Sequence, residues 1–246
     1  MAGASDREPD FTITHDADPS ETLLVGLSSF GLAGLTAVDY LVDHLDLREQ
    51  GHLSAEGLPT VTPFEEGRPR HHTRLFSRDD LDVSVLVGEL FVPVGAGRAF
   101  ADAILDWTEA NGVRDVAILS GVPIPHGPDD HRTYYIATDD YRERYLGESP
   151  IPPMGRGFLD GTNAALIERG LDSPLGVCTY VTPVHARVPD VEASIRLVET
   201  VQSVYGLDVD AGPLEAFAGE IEQYYAELAE RMDARDEDLP EDRMYM

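Results

Sequence analysis

The sequence predicts an α/β fold in which a mostly parallel central sheet is flanked by helices, with a C-terminal helix and a tail beyond it. Three observations carry this expectation. Short, nearly continuous apolar runs recur along the chain, as in strands buried on both faces. Between them lie stretches with apolar residues every three or four positions, the period of an amphipathic helix. The order strand, helix, strand implies right-handed parallel crossovers.

The elements follow in order. Residues 1–19 are polar and acidic, without a basic-then-apolar leader, and residues 1–20 read as a flexible arm or a loosely attached edge. Residues 22–28 form an apolar run suited to a buried strand, closed by Phe30 and Gly31. A helix is predicted over 33–47, with Leu35, Val38, Val42 and Leu45 on one face. Turn formers crowd residues 48–70, which read as loops around a short strand at 60–64. Residues 72–77 and 81–92 flank the turn Arg78, Asp79, Asp80 and read as a hairpin whose second arm is a central strand.

A helix over 97–112 directs Phe100, Ile104 and Trp107 inward. The strand at 115–121 ends on Gly121, where an open α/β sheet presents its ligands. A strand at 133–138, a short helix at 140–146 and a Gly- and Pro-rich loop over 147–161 come next. Then follow a helix at 162–169, a strand at 176–181 and an amphipathic helix at 190–205 with Val191, Ile195, Val198 and Tyr205 on one side. The last helix, about 213–232, carries Leu214, Phe217, Ile221, Tyr224 and Leu228 at alternating spacings of three and four. That pattern fits a coiled-coil-like seam at a subunit contact, or equally a helix packed on its own domain. One domain is expected over 21–232.

Charge narrows the partners. Forty-six acidic residues stand against 18 basic ones, a net charge of −28, and every basic residue is Arg. Such a surplus repels itself in dilute buffer, whereas at molar salt the Debye length shrinks to about 3 Å and an acidic surface keeps a protein dissolved. The expectation is a salt-adapted, soluble cytoplasmic protein that binds neither nucleic acid nor an anionic membrane. Cys178 is the only cysteine, so an internal disulfide and a thiolate zinc cluster are excluded.

Candidate chemistry is sparse. Gly26, Ser28, Phe30, Gly31 and Gly34, with Gly121, outline a glycine-rich cleft at the first strand-to-helix turn. Phe30 stands where a nucleophile elbow has its second Gly, and the glycine spacing departs from the dinucleotide fingerprint. The turn therefore reads as tight strand-helix packing, with a small anion at the helix N-terminus as the functional alternative. His126, Asp129, Asp130 and His131 gather metal-binding groups at no known ligand spacing and read as a solvated loop. His71 and His72 read as a surface turn, and Cys178 as buried and inert. No catalytic residue, metal or cofactor is assigned.

After the last helix, residues 233–243 are charged, poor in apolar groups and broken by Pro240, and are expected to form a disordered linker. The sequence then ends Met244, Tyr245, Met246. This ending resembles the HbYX tail with which proteasome activators and assembly factors enter pockets between α-subunits of the 20S particle. A terminal carboxylate can pair with a cation, Tyr245 offers an apolar ring with a hydroxyl, and Met244 can fill an irregular groove.

Further stretches, taken in order, resemble the PAC2 family of proteasome assembly chaperone 2-like proteins over about residues 20–232. They are 26–34 with 37–41, 120–123, 155–161 with 164–167, and 182–189 leading to 205–209. Residues 88–97 and 126–131 match the family pattern only loosely. The resemblance implies a phosphorylase-like α/β domain that forms homo-oligomers. The archaeal members it resembles are linked to 20S proteasome assembly or act as adaptors on the particle. The rival reading is a small-molecule enzyme or binding protein using the glycine-rich cleft on a nucleoside-like or phosphorylated compound.

Overall fold

The computed structural model describes residues 9–58, 60–127, 130–185, 189–216 and 218. Its centre is an eight-stranded mixed sheet. In chain order the strands are β1 (Asp10–His15), β2 (Thr22–Leu27), β3 (Arg48–Glu56), β6 (Thr73–Ser77), β7 (Val83–Gly88), β8 (Asp115–Val122), β9 (Tyr134–Ala137) and β10 (Gly176–Pro183). A small separate hairpin, β4 (Phe64–Glu65) with β5 (Arg68–Pro69), interrupts them. The spatial order is β1-β3-β6-β7-β2-β8-β10-β9.

The expected parallel sheet is present at the centre, where β7, β2, β8 and β10 run the same way. Both flanks are antiparallel, through β1-β3-β6-β7 on one side and β9 on the other. Every residue of β2 and β7 is buried, which explains their unbroken apolar character.

Helices cover both faces. The helices α1 (Ala33–His44) and α5 (Val191–Tyr205) pack with Leu24, Val85, Ala117, Leu119 and Tyr180 in one core. The helices α2 (Gly97–Ala110) and α4 (Gly161–Leu171) pack with Leu23, Val25, Val116, Ile118 and Val177 in the other. Successive strand residues thus feed opposite cores, as the two-residue period of a strand requires. Between β9 and α4 the chain makes one α turn, α3 (Asp139–Tyr141), that continues as a π turn over Arg142–Leu146.

Two local expectations change and one open alternative is decided. Of the flexible arm or attached edge expected over residues 1–20, residues 10–15 take the second form, an edge strand whose Phe11 packs edge-on against Phe100 at 5.2 Å. Residues 48–56, expected as loop, form β3; only Leu53 is buried in it, so alternation is too weak to announce a strand. Its register shifts between Glu49 and Gly51, where a Cβ would press on the backbone of Thr14 and His15. The short strand expected at 60–64 begins instead at Phe64.

No helix among the described residues is long and apolar enough to cross a membrane. Leu214 and Ala218 lie buried in the α1–α5 core, so the first residue of the expected seam packs inside its own domain. Phe217, Ile221, Tyr224 and Leu228, the linker 233–243 and the tail Met244, Tyr245 and Met246 lie outside the described residues.

Candidate functional site

The glycine-rich residues converge at the carboxyl ends of the parallel strands. After β2 the chain turns through Gly31 (φ 66°) and Leu32 (φ 51°) directly into α1, with no side-chain cap on the helix. Gly34 faces the Leu119 carbonyl so closely that a Cβ would overlap it. A Cβ on Gly26 would collide with the Val38 side chain and the Gly34 carbonyl. At Gly121 it would fall 2.6 Å from the Phe30 carbonyl and 2.6 Å from Val184 Cγ1, and at Gly31 2.9 Å from Val184 Cβ. The space that the four glycines leave is therefore taken by α1, by the Leu119 carbonyl of β8, by the Phe30 carbonyl and by Val184 from the chain after β10. Tight strand-helix packing accounts for Gly26 and Gly34, and the approach of Val184 for Gly31 and Gly121.

Ser28 and Phe30 leave this corner. Ser28 Oγ donates to the Glu89 carbonyl at 3.0 Å, tying the turn after β2 to the turn after β7. Ser29 Oγ is buried without a hydrogen-bond partner. Phe30 is 58% exposed.

Residues missed in the sequence hold the corner together. Asp190 caps α5 by accepting from Ala193 N at 3.0 Å, and it also accepts from His185 N and His185 Nδ1, both at 2.9 Å. Burial raises its carboxyl pKa, but these hydrogen bonds outweigh burial and hold it below the usual carboxylate range. Asp190 N donates to the Gly31 carbonyl at 2.8 Å, so the α5 cap also fastens the first turn. The signal was available in the sequence as an Asp just before a helical apolar pattern.

Charged groups beside the corner are already paired. Arg70 bridges Glu65 and Glu89, and Arg74 reaches Glu89 at 3.4 Å and Asp39 at 3.8 Å. Burial, the largest cause, raises the Asp39 pKa against the lowering pull of Arg74. This arrangement neutralises its own arginines rather than holding them ready for an anion.

His126 lies between His131 and His185, with ring centroids 5.1 and 5.2 Å away. Spacing grouped the first two; only the fold adds the third. Among the described residues, no group of three or more His, Cys, Asp or Glu side chains is arranged to hold a metal ion. His71 stacks on His52 at 3.6 Å and His72 lies partly buried beside it, so this pair belongs to the sheet edge more than to a free turn. Cys178 is fully buried, and burial pushes its thiol pKa well up, which makes it unreactive.

The family model for the PAC2 family matches residues 23–229. The chain belongs to the PAC2 family. Solved structures of the same fold include PbaA of Pyrococcus furiosus, an archaeal homologue of proteasome-assembly chaperone, with a TM-score of 0.81, 19% identity, and 95% of this chain and 96% of that one covered. PbaB of Pyrococcus furiosus, an archaeal proteasome activator, matches with a TM-score of 0.73 at 19% identity, over 89% of this chain and 99% of that one. A protein of unknown function from Thermoplasma acidophilum matches with a TM-score of 0.71 at 22% identity, over 88% and 90% of the two chains. No curated protein sequence matches the chain. Within the PAC2 fold, the glycine corner of this chain is a packed joint between β2, β8, α1 and the start of α5.

Proposed function

We propose that this PAC2 protein is a proteasome assembly chaperone or adaptor, a binding protein rather than an enzyme, which docks Met244, Tyr245 and Met246 between α-subunits of the 20S particle. The observation that carries the reading is a PAC2 match over 23–229 in a sequence that ends Met-Tyr-Met. Solved structures of the same fold are described as a homologue of proteasome-assembly chaperone and as a proteasome activator, which supports the same direction. The filled glycine corner and the internally paired Arg70 and Arg74 weigh against the rival small-molecule reading.

In this reading the protein works in the cytoplasm as a homo-oligomer. Residues 233–243, fully extended at no more than ~3.5 Å each, would let each tail reach about 35 Å from its domain. Several tails on one oligomer would then bind a ring far better than one, provided they reach separate pockets together. The test is a pull-down of purified 20S particles in molar KCl with the full chain and with a chain lacking 244–246. Retention of the particle by the full chain alone is expected, and equal retention by both would overturn the reading.

A further inference from the structure

Three of the eight histidines meet only in the folded chain. His126 lies on the segment after β8, His131 on the approach to β9, and His185 just beyond β10. These three strands are neighbours in the sheet, and their ends deliver the imidazoles to one place. The His126 ring centre is 5.1 Å from that of His131 and 5.2 Å from that of His185, with planes 55° and 61° apart. The rings are therefore not stacked, unlike His52 and His71, whose planes are 5° apart.

Hydrogen bonds fix which nitrogen is free in two of the rings. His126 Nδ1 donates to the Ile124 carbonyl at 2.7 Å, since a carbonyl only accepts. His185 Nδ1 lies 2.9 Å from Asp190 Oδ2. Burial raises the Asp190 pKa, but the bonds that it accepts outweigh burial and hold the carboxyl below the usual range, so it too faces a proton-bearing nitrogen. In the neutral ring a proton on Nδ1 leaves Nε2 with a bare lone pair. A ring whose Nδ1–H is held by a carbonyl or a carboxylate, with Nε2 open, is oriented as a metal-ligating histidine is.

The distance agrees. With bonds of about 2.1 Å, and each ring centre about 1.1 Å beyond its nitrogen, two imidazoles on one tetrahedral ion have centres about 5.2 Å apart. His126 and His185 stand at that separation, whereas the His52–His71 stack, at 3.6 Å, falls well short of it.

We propose that His126 and His185 bind a divalent ion of the zinc class through their two Nε2 atoms, with water in the remaining positions. His131 is not a third ligand, since no group of three such side chains among the described residues is arranged to hold an ion. Imidazole ligation selects Zn²⁺ over Mg²⁺ and Ca²⁺, which take oxygen donors. That selection matters in a chain whose 46 acidic residues offer hard cations many carboxylates. A bound ion would tie the segment after β8 to the cap of α5, because Asp190 both holds His185 and bonds the Gly31 carbonyl through its N–H. The site stands whether or not the tail engages a proteasome.

The test is calorimetric titration of the full chain with Zn²⁺ in molar KCl, with excess Mg²⁺ to occupy the carboxylates. One Zn²⁺ per chain is expected. His126→Ala and His185→Ala should each weaken binding by about tenfold or more, and Asp190→Asn, which keeps an acceptor for the α5 cap but removes the charge behind His185, by about tenfold. His44→Ala is the control and should change nothing, since His44 Nδ1 also meets a carbonyl but its ring stacks on Tyr40. Undiminished binding in either histidine variant, equal weakening by His44→Ala, or displacement of all bound Zn²⁺ by Mg²⁺ would each overturn the proposal. Should a variant lose its circular dichroism, the histidine ring signals of the native protein decide by NMR. Zn²⁺ should shift those of His126 and His185 first, and a first response from His52 and His71 would sink the site.

Discussion

Gly34, on the first turn of α1, lies against the backbone carbonyl of Leu119 in β8 with no room for a side chain between them. The contact sets the height of α1 over the sheet. Gly34→Ala would force the helix away from β8, because its obstacle is backbone that no rotamer change can move aside. Overpacking of this kind costs about 3 kcal/mol. Gly95→Ala is the control, since its Cβ would point into open space, and it should change stability by less than about 0.5 kcal/mol. Denaturant midpoints in molar salt compare the two, and equal midpoints would contradict the packing account.

A second prediction concerns Asp115. Asp115 is fully buried at the start of β8, where Arg144 Nε and Nη2 donate to its Oδ1 at 3.0 and 2.5 Å and Tyr145 donates to Oδ2 at 3.2 Å. Arg144→Ala leaves a buried carboxylate without its cation, an expected loss of about 3 kcal/mol. A loss below about 0.5 kcal/mol would mean that water or Arg114, 3.8 Å away, replaces the partner.

How far these features could be read beforehand follows from which forces are local. β2, β7, β8 and β10 were legible because strands buried on both faces must be apolar throughout. The amphipathic α2 and α5 were legible for the matching helical reason. β3 was not, because a flank strand with only Leu53 buried needs no apolar pattern, and its pairing with β1 and β6 is long-range. The glycine corner was found as a cluster, but the occupant of its space, Val184, lies 150 residues beyond Gly34 and only the fold brings it there.

Acidification should loosen the β3–β6 flank. His52 and His71 stack with planes 5° apart, and burial followed by the His71 charge lowers the His52 pKa from its usual 6.5. The same two causes lower His72. A folded chain whose histidines resist protonation binds fewer protons than the unfolded chain below about pH 6.5, so stability falls as pH drops through that value. Thermal midpoints should decline from pH 7 towards pH 5, and His52→Gln should flatten the decline. An unchanged slope in that variant would place the effect elsewhere.

Salt gives an independent prediction. With a net charge of −28 and no Lys, the fold should be stable in molar KCl and loosen in dilute buffer as screening is withdrawn. Circular dichroism unchanged down to about 50 mM salt would count against adaptation to a salty cytoplasm.

The most diagnostic prediction concerns the last three residues. If Met244, Tyr245 and Met246 dock as proposed, Tyr245→Ala removes a ring contact and a hydroxyl bond together, at about 2 kcal/mol per tail for a hot-spot aromatic. Adding one residue after Met246 should be equally harmful, although every native side chain is still present. It moves the carboxylate off its partner, and only a pocket that captures the terminus notices that displacement. Surface stickiness would tolerate the extension and suffer only from the loss of Tyr245. Neither change should alter circular dichroism, because the proposed linker keeps the tail outside the core. Binding of 20S particles by the extended chain at native strength would eliminate terminus capture. Unfolding in both variants would assign Met244, Tyr245 and Met246 to the core instead, and with it remove the docking role.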